Sequence, residues 1–196
     1  FMRQLGIDRL PRETGIVDLF CGRGTGLQVL AGWGFRNLAG VDLSPGLLKE
    51  CPVEIRRIVA DCRNLRFPED SIDVFIVQGG LHHLPGIPED LRACLREVRR
   101  CLRPGGCFFV VEPWDTPFLR LVHTLTRLSP VRACLPRMDA FATMVEEEQE
   151  TYRQWLASGS GIRAAFEEAF SLEQFRTGWG KCRIIARKPE RNASHG

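Results

Sequence analysis

The segment IVDLFCGRGTG, from Ile16 to Gly26, decides how this chain folds. An apolar run interrupted only by Asp18 leads to three glycines on alternate positions, Gly22, Gly24 and Gly26, and apolar residues with helical spacing follow. The pattern predicts a β-strand, a glycine-rich turn and the start of an α-helix. Glycines in such a turn permit positive φ and let a ligand approach the bare backbone beside the free amides of the helix start. A tight turn that binds no ligand has the same pattern.

Composition narrows the class of protein. The chain has 196 residues with 44% hydrophobic and 26% charged content, which predicts one soluble α/β domain over residues 1–190 and a disordered tail at 191–196. No apolar run of about 18 residues occurs, so we expect no membrane span. The net charge of +3 is mild, and no basic stripe with interleaved aromatic residues indicates nucleic-acid binding.

The eight cysteines form no CxxC pair, and the N-terminal residues contain no signal-peptide core. Several of the cysteines lie inside apolar runs, where a thiol behaves as a small hydrophobic group. We therefore expect reduced thiols in a cytoplasmic protein and no metal site.

Strand and helix patterns alternate after the glycine turn. Predicted strands at 16–20, 38–43, 53–59, 72–78 and 107–111 are joined by helices, including 45–51 and 88–102, which favours a parallel sheet with right-handed crossovers. Two further helices, at about 117–128 and 139–156, interrupt the alternation. A helix at 161–169 and strands at 171–177 and 181–188 follow. The turn at 177–180 joins these last strands as a hairpin, so one strand runs antiparallel to the others.

Three polar residues stand where predicted parallel strands end. Asp42 lies 20 residues after Gly22, a spacing that suits hydrogen bonds to ribose hydroxyls. Asp61 is placed to accept from an exocyclic amine such as that of adenine, and Gln78 lies at the end of the fourth strand. Ligands of such sheets bind at the carboxyl ends of the strands. Ordinary polar strand ends are the alternative.

Five segments together resemble one family, the class I S-adenosylmethionine (SAM)-dependent methyltransferases. They read VDLFCGRGTG, GVDLSPGLL, ADCRNLRFPEDSID, LHHL and LREVRRCLRPGGCFFVVEP, and cover about residues 14–113. Within this family, the five segments are most similar to the branch of small-molecule methyltransferases that is related to the enzymes of ubiquinone and menaquinone biosynthesis. The resemblance implies a Rossmann-like, doubly wound sheet of seven strands, mostly parallel with an antiparallel C-terminal strand, and helices on both faces. It also implies SAM as cofactor and S-adenosylhomocysteine as product.

The resemblance assigns cofactor-binding roles to matching positions. The methionine end of the cofactor is assigned to Asp18, Gly22 and Gly24 with the backbone of Gln78, the ribose and adenine ring to Asp42 and Leu43, and the adenine amine to Asp61 beside Cys62. Phe20 is a departure, because the family has glycine there and a bulky side chain crowds the turn. The exact contacts at Phe20 and Cys21 are therefore open.

The acceptor and the chemistry are less constrained by the sequence. His82 and His83 follow the fourth strand, and either is placed to take a proton from an acceptor hydroxyl, although a structural role explains them equally. The helical insertion at 114–160 is expected to form the substrate wall or lid, because loops above strand ends carry function. Its apolar residues, from Phe118 to Trp155, favour a small apolar or aromatic acceptor, although core packing explains most of them better. Arg120, Arg127, Arg132 and Arg137 suit an acidic one. The sequence does not indicate the oligomeric state.

Two other functions, a dehydrogenase and an inactive binding protein, are compatible with parts of the pattern. A nicotinamide-dependent dehydrogenase needs a third glycine where this chain has Leu27, so the dinucleotide fingerprint is incomplete. A catalytically inactive methyltransferase-fold protein, acting as a binding or regulatory partner, is the second. The acidic residues that the cofactor requires argue against it.

Overall fold

A seven-stranded sheet runs through the protein in the order β3-β2-β1-β4-β5-β7-β6. The computed structural model describes residues 1–52, 54–126, 136–147 and 149–191. The strands are β1 Ile16–Leu19, β2 Leu38–Asp42, β3 Arg56–Val59, β4 Ile72–Gln78, β5 Leu102–Pro113, β6 Ser171–Gly178 and β7 Lys181–Arg187. Predictions that fall at Val53, Arg127, Leu128, Arg132 and the tail 192–196 lie outside the described residues, as do the side chains of Arg137, Met138, Phe141 and Met144.

The strand directions confirm the predicted doubly wound sheet. Strands β1 to β5 pair in parallel, whereas β7 is antiparallel to both β5 and β6. The reversal occurs at the β6–β7 hairpin, where Trp179 and Gly180 adopt positive φ of 52° and 73°. This turn geometry reverses the chain within two residues and places the tip of the hairpin beside the carboxyl end of β5.

Helices cover both faces of the sheet. They are α1 Thr25–Gly32, α2 Pro45–Glu50, α3 Glu89–Cys101, α4 Pro117–Leu125, α5 Pro136–Glu147, α6 Gln149–Ala157 and α7 Gly159–Ala169, with short 3₁₀ turns at Met2–Leu5, Ile7–Arg9 and Leu81–His83. The described residues of the helix predicted over 139–156 lie in α5 and α6. Strand β5 begins directly after α3, five residues before the predicted start at Cys107, because Leu102 already pairs with Ile72 before a register shift leads to the pairing of Cys107 with Val74.

The core has two layers, one on each side of the sheet. Phe75 and Phe108 face α3 and α7, whereas Ile76 and Phe109 face α1 and the N-terminal turns. Strands buried on both faces are continuous apolar runs, as the sequence of β4 is. Trp155, one of the apolar residues of the insertion, lies fully buried in the first layer, which agrees with core packing, and its Nε1 donates to the Pro113 carbonyl at 2.8 Å.

Candidate functional site

The turn between β1 and α1 has the geometry that its glycines predict. Gly22 and Gly24 adopt positive φ of 53° and 76°. A Cβ atom on Gly24 would lie 2.4 Å from the Sγ of Cys51, so the backbone of this turn packs closely against the loop after α2. Gly24 is therefore required both for conformation and for space.

Asp42 ends β2 with its carboxylate fixed by backbone amides. Gly22 N donates to Oδ2 at 2.9 Å and Ser44 N donates to Oδ1 at 2.8 Å. Each carboxylate oxygen retains a lone pair for a further donor. The neighbouring Leu43 is 62% exposed, an apolar side chain that stands open beside the carboxylate.

Asp61 is held by a neighbour that the sequence analysis did not consider. The Arg63 guanidinium donates to both oxygens of Asp61 and reaches Asp90 in α3 at 2.7 Å. The hydrogen bonds that Arg63 donates to Asp61 are the main cause that lowers the pKa of the Asp61 carboxyl below its ordinary value. Asp61 therefore stays ionised, and part of its accepting capacity is already in use.

Five predicted cofactor residues line one cavity of about 350 Å³, which we call the Asp42 cavity. The five are Gly22, Asp42, Leu43, Asp61 and Cys62, and Phe20, Leu47, Arg63, Gly79, His83, Leu84 and Pro85 complete the wall. Asp18, Gly24 and Gln78 do not line it: Gly24 is part of the turn itself, and the side chains of Asp18 and Gln78 lie against the start of α1.

Asp18 is a buried carboxyl beneath the glycine turn, 4% exposed. Burial, followed by the negative charge of Asp42, raises its pKa to about 8. A Cβ on Gly26 would lie 2.7 Å from Gln78 Nε2 and 3.0 Å from Asp18 Oδ2, so these two side chains converge on the start of α1. The absent side chain of Gly26 makes room for both.

Phe20 adopts a positive φ of 57° at the position where the family has glycine. Its ring lies against Gly80, where an added Cβ would come within 2.4 to 2.6 Å of Phe20 atoms. A non-glycine residue in this region of φ is strained. The chain therefore accommodates Phe20 by having no side chain at residue 80, and the ring becomes part of the Asp42 cavity wall.

A second cavity of about 400 Å³, the His82 cavity, adjoins the first. Gly79 and His83 line both cavities. The remaining wall of the His82 cavity is mostly apolar and comes from five parts of the chain: His82, Val111, Pro113, Phe118, Leu119, Val122, Tyr152, Trp179, Gly180 and Lys181. Helices α4 and α6 of the predicted insertion thus contribute to this wall, as the sequence indicated for Phe118, Val122 and Tyr152.

His82 is buried and paired with Glu112, the penultimate residue of β5. Glu112 Oε2 lies 2.7 Å from His82 Nδ1, and Oε1 accepts from Gly80 N and Leu81 N at 2.7 and 2.8 Å. Because a carboxylate only accepts, Nδ1 carries the proton in this contact. Glu112 was not among the residues predicted for the site, although a lone acid at the end of the apolar strand CFFVVEP is a sequence signal for a functional carboxylate.

Metal sites, membrane-spanning helices and disulfides can be judged in the part of the chain that the structure describes. No group of three or more histidine, cysteine, aspartate or glutamate side chains is arranged to hold a metal ion there. No described helix has the length and apolar character to cross a membrane. The seven described cysteines have free thiols, as predicted.

Comparison with known proteins identifies the family. A methyltransferase domain family matches residues 17–110. A demethylmenaquinone methyltransferase of Corynebacterium urealyticum is 31% identical over 175 residues, 88% of this chain and 70% of that protein. A 2-methyl-6-phytyl-1,4-hydroquinone methyltransferase of Synechocystis is 34% identical over 118 residues, 56% of this chain and 35% of that protein.

Solved structures of methyltransferases have a similar fold. The crystal structure of a SAM-dependent methyltransferase from Methanosarcina mazei superimposes with a TM-score of 0.66 at 17% identity and covers 95% of this chain and 98% of that one. The chain therefore belongs to the class I SAM-dependent methyltransferases related to the enzymes of quinone biosynthesis, and SAM is its cofactor.

Proposed function

We propose that this protein transfers a methyl group from SAM in the Asp42 cavity to a small aromatic acceptor of the hydroquinone type in the His82 cavity. The observation that carries the proposal is that the two cavities meet at Gly79 and His83. Methyl transfer is an in-line displacement that needs donor and acceptor held in contact, and two adjoining cavities provide that arrangement.

The residues of the Asp42 cavity fit the cofactor. The free lone pairs of Asp42 suit the two ribose hydroxyls, and the exposed face of Leu43 suits the adenine ring. Asp61 and Cys62 lie where the adenine amine would be read, with Arg63 sharing the Asp61 carboxylate. When bound, SAM supplies an electrophilic methyl group on its sulfonium.

We assign the methionine end of the cofactor to the glycine turn and the residues against it, namely Asp18, Gly22, Gly24 and Gln78. The ammonium and the sulfonium of the cofactor are both cationic. A cation beside Asp18 favours the ionised form of a carboxyl whose pKa is otherwise raised to about 8. Cofactor binding would therefore release a proton from Asp18 at neutral pH.

We assign the proton-accepting role to His82 or His83. Glu112 fixes the ring of His82 through Nδ1, and its carboxylate would stabilise an imidazolium formed when the ring takes a proton. His83 lines both cavities and therefore lies nearest to the place where they meet. Removal of a proton from a ring hydroxyl increases the electron density of the acceptor.

The acceptor class follows from the wall of the His82 cavity. Phe118, Leu119 and Val122 of α4 and Tyr152 of α6 present apolar and aromatic surface, which suits a flat aromatic ring. We propose that the insertion 114–160 is the substrate lid. The names of the two curated relatives, which act on demethylmenaquinone and on a phytyl hydroquinone, support a hydroquinone.

The test is transfer of a deuterated methyl group. The protein is incubated with methyl-deuterated SAM and a panel of soluble benzene and naphthalene hydroquinones, followed by mass spectrometry. We expect one acceptor to gain one labelled methyl group while S-adenosylhomocysteine forms in equal amount. Normal S-adenosylhomocysteine binding with no transfer to any acceptor would favour the inactive binding or regulatory protein instead.

A further inference from the structure

Three cations share one face of the β6–β7 hairpin. Lys181 and Arg183 alternate along β7 and so point to the same side of the sheet, and Arg176 on β6 lies directly opposite Arg183. Like charges directly opposite each other in an antiparallel pair are destabilising. We call Arg176, Lys181 and Arg183 the hairpin cations.

The hairpin cations have no acidic partners. Within the described ranges, no carboxylate oxygen lies within 4.0 Å of their charged nitrogens, and none of these side chains donates a hydrogen bond. The Nε of Arg183 is buried and has no acceptor at all. By contrast, arginines such as Arg63 and Arg187 are paired with carboxylates. Buried donors without acceptors are rare in folded proteins and cost free energy.

One aromatic ring covers two of these cations. Lys181 Nζ lies 4.3 Å and Arg183 Cζ 5.5 Å from the centroid of Phe1. A cation–π contact compensates only partly for a missing anion. Burial, opposed by Glu112 and reinforced by Arg183, lowers the pKa of the Lys181 ammonium. Glu112 is itself engaged by His82 and two backbone amides, so among the described residues no carboxylate is paired with the hairpin cations.

Lys181 also lines the His82 cavity, whose other lining side chains are apolar, aromatic or imidazole. We infer that the ligand of this cavity is an apolar ring bearing one anionic oxygen, carboxylate or phenolate, which lies against Lys181 with Arg183 behind it. The inference rests on the proposed function in taking this cavity as the acceptor site. An anion there would give Lys181 a charge-assisted partner at the end of an otherwise apolar cavity.

Binding of shape-matched probes tests the inference without turnover. The fluorescence of 2-naphthoate and of its neutral isostere 2-naphthamide is titrated with the whole chain, and 2-naphthol is the phenol arm, because its neutral and ionised forms emit differently. We expect naphthoate to bind about tenfold or more tighter than naphthamide, or naphthol to bind as its anion. Preference for naphthoate identifies a carboxylate ligand, and ionised naphthol identifies a phenolate.

Charge-removing variants locate the effect. Lys181→Met and Arg183→Met should each remove most of the preference for the anion, and Lys181→Arg should restore it. Lys49→Met is the matched control, because it removes one exposed lysine charge on α2 and should keep the preference. Calorimetric titration of each variant with S-adenosylhomocysteine reports folding and the Asp42 cavity.

The outcomes separate the two claims. Equal binding of naphthoate, naphthamide and neutral naphthol by a wild-type chain that binds S-adenosylhomocysteine would overturn the inference and leave the proposed function standing. So would an anion preference that both methionine variants retain. Anion preference that depends on Lys181, in a chain without affinity for S-adenosylhomocysteine, would support the inference and contradict the proposed function.

Discussion

The ring of Phe20 occupies the space where a side chain at residue 80 would begin. A Cβ on Gly80 would lie 2.4 Å from Phe20 Cγ. The two residues are therefore coupled: the chain carries a bulky residue in its glycine-rich turn, and a glycine on the neighbouring loop compensates for it. Because Phe20 also lines the Asp42 cavity, the position of its ring shapes the site as well as the packing.

Gly80→Ala should destabilise the protein and weaken cofactor binding. The new methyl group must displace the Phe20 ring or the backbone, and overpacking of this kind costs about 1–3 kcal/mol. The displaced ring would move toward the Asp42 cavity. Chemical denaturation and titration with S-adenosylhomocysteine measure the two effects.

The matched control for Gly80→Ala is Gly161→Ala in α7. A Cβ there meets nothing within 4 Å, and alanine is the better helix former by about 1 kcal/mol. Gly161→Ala should therefore be neutral or stabilising. A Gly80→Ala variant that matches the control in both stability and affinity would show that the two residues are not coupled.

Asp18→Asn should remove a pH dependence of stability. The folded pKa of about 8 lies above the ordinary value of 3.8, so between these values the folded state binds the proton more tightly than the unfolded state. The contribution of Asp18 is therefore fully present below the unfolded pKa and is lost as pH rises toward the folded pKa. The slope is at most about 1.4 kcal/mol per pH unit.

The measurement is the free energy of unfolding of wild type and Asp18→Asn, without cofactor, at about pH 5 and about pH 7.5. The variant should gain stability relative to wild type at the higher pH, because it has no carboxyl to ionise. Glu54→Gln, at an exposed position, should track wild type at both values. A wild-type-to-Asn difference that does not change with pH would exclude the raised pKa.

Glu112→Gln should impair both stability and catalysis while sparing the cofactor cavity. The carboxylate accepts from two amides and from His82 Nδ1, and an amide has one oxygen in place of two. A buried donor left without a partner costs about 1–3 kcal/mol. The protonated ring of His82 would also lose its stabilising charge.

The corresponding kinetic readout is the pH profile of kcat/KM. If His82 accepts the proton, its acidic limb should move to lower pH in Glu112→Gln, and the plateau should fall. Glu167→Gln, in an exposed ion pair on α7, should leave the profile unchanged. A Glu112→Gln enzyme that loses stability but keeps the wild-type profile would mean that the contact is structural.

Local patterns and strand directions were predictable from the sequence. The alternation of strands and helices, the final hairpin and the strand-end positions of Asp42 and Asp61 depend on periodicity and turn residues, which are short-range signals. The apolar run of β4 likewise reported burial on both faces.

Contacts between distant residues were not predictable. Glu112 reaches His82 across 30 positions, and Arg63 joins Asp61 to Asp90 of α3, yet no periodicity marks a partner that folding brings close. Trp155 has the apolar character of a cavity wall, but packing places it in the core. Asp70 reads as a bland loop residue, whereas its carboxylate pairs with Lys188 at 2.6 Å and with Arg191.

The central claim is that Asp42 binds the ribose of SAM, and calorimetric titration of S-adenosylhomocysteine into wild type and Asp42→Ala tests it most directly. Hydrogen bonds to a charged group are worth about 1.5–3 kcal/mol each. Two such bonds on one carboxylate are not additive, so the variant should lose roughly 2–4 kcal/mol, a thirtyfold to several-hundredfold weakening.

Some stability should also be lost, because Asp42 anchors the amides of Gly22 and Ser44, so circular dichroism must show that the variant is folded. Glu54→Ala, which removes an exposed acid on the loop before β3, is the control and should bind as wild type does. We expect micromolar-scale binding by wild type and the stated loss in Asp42→Ala. A folded Asp42→Ala variant that binds S-adenosylhomocysteine as tightly as wild type would contradict the account.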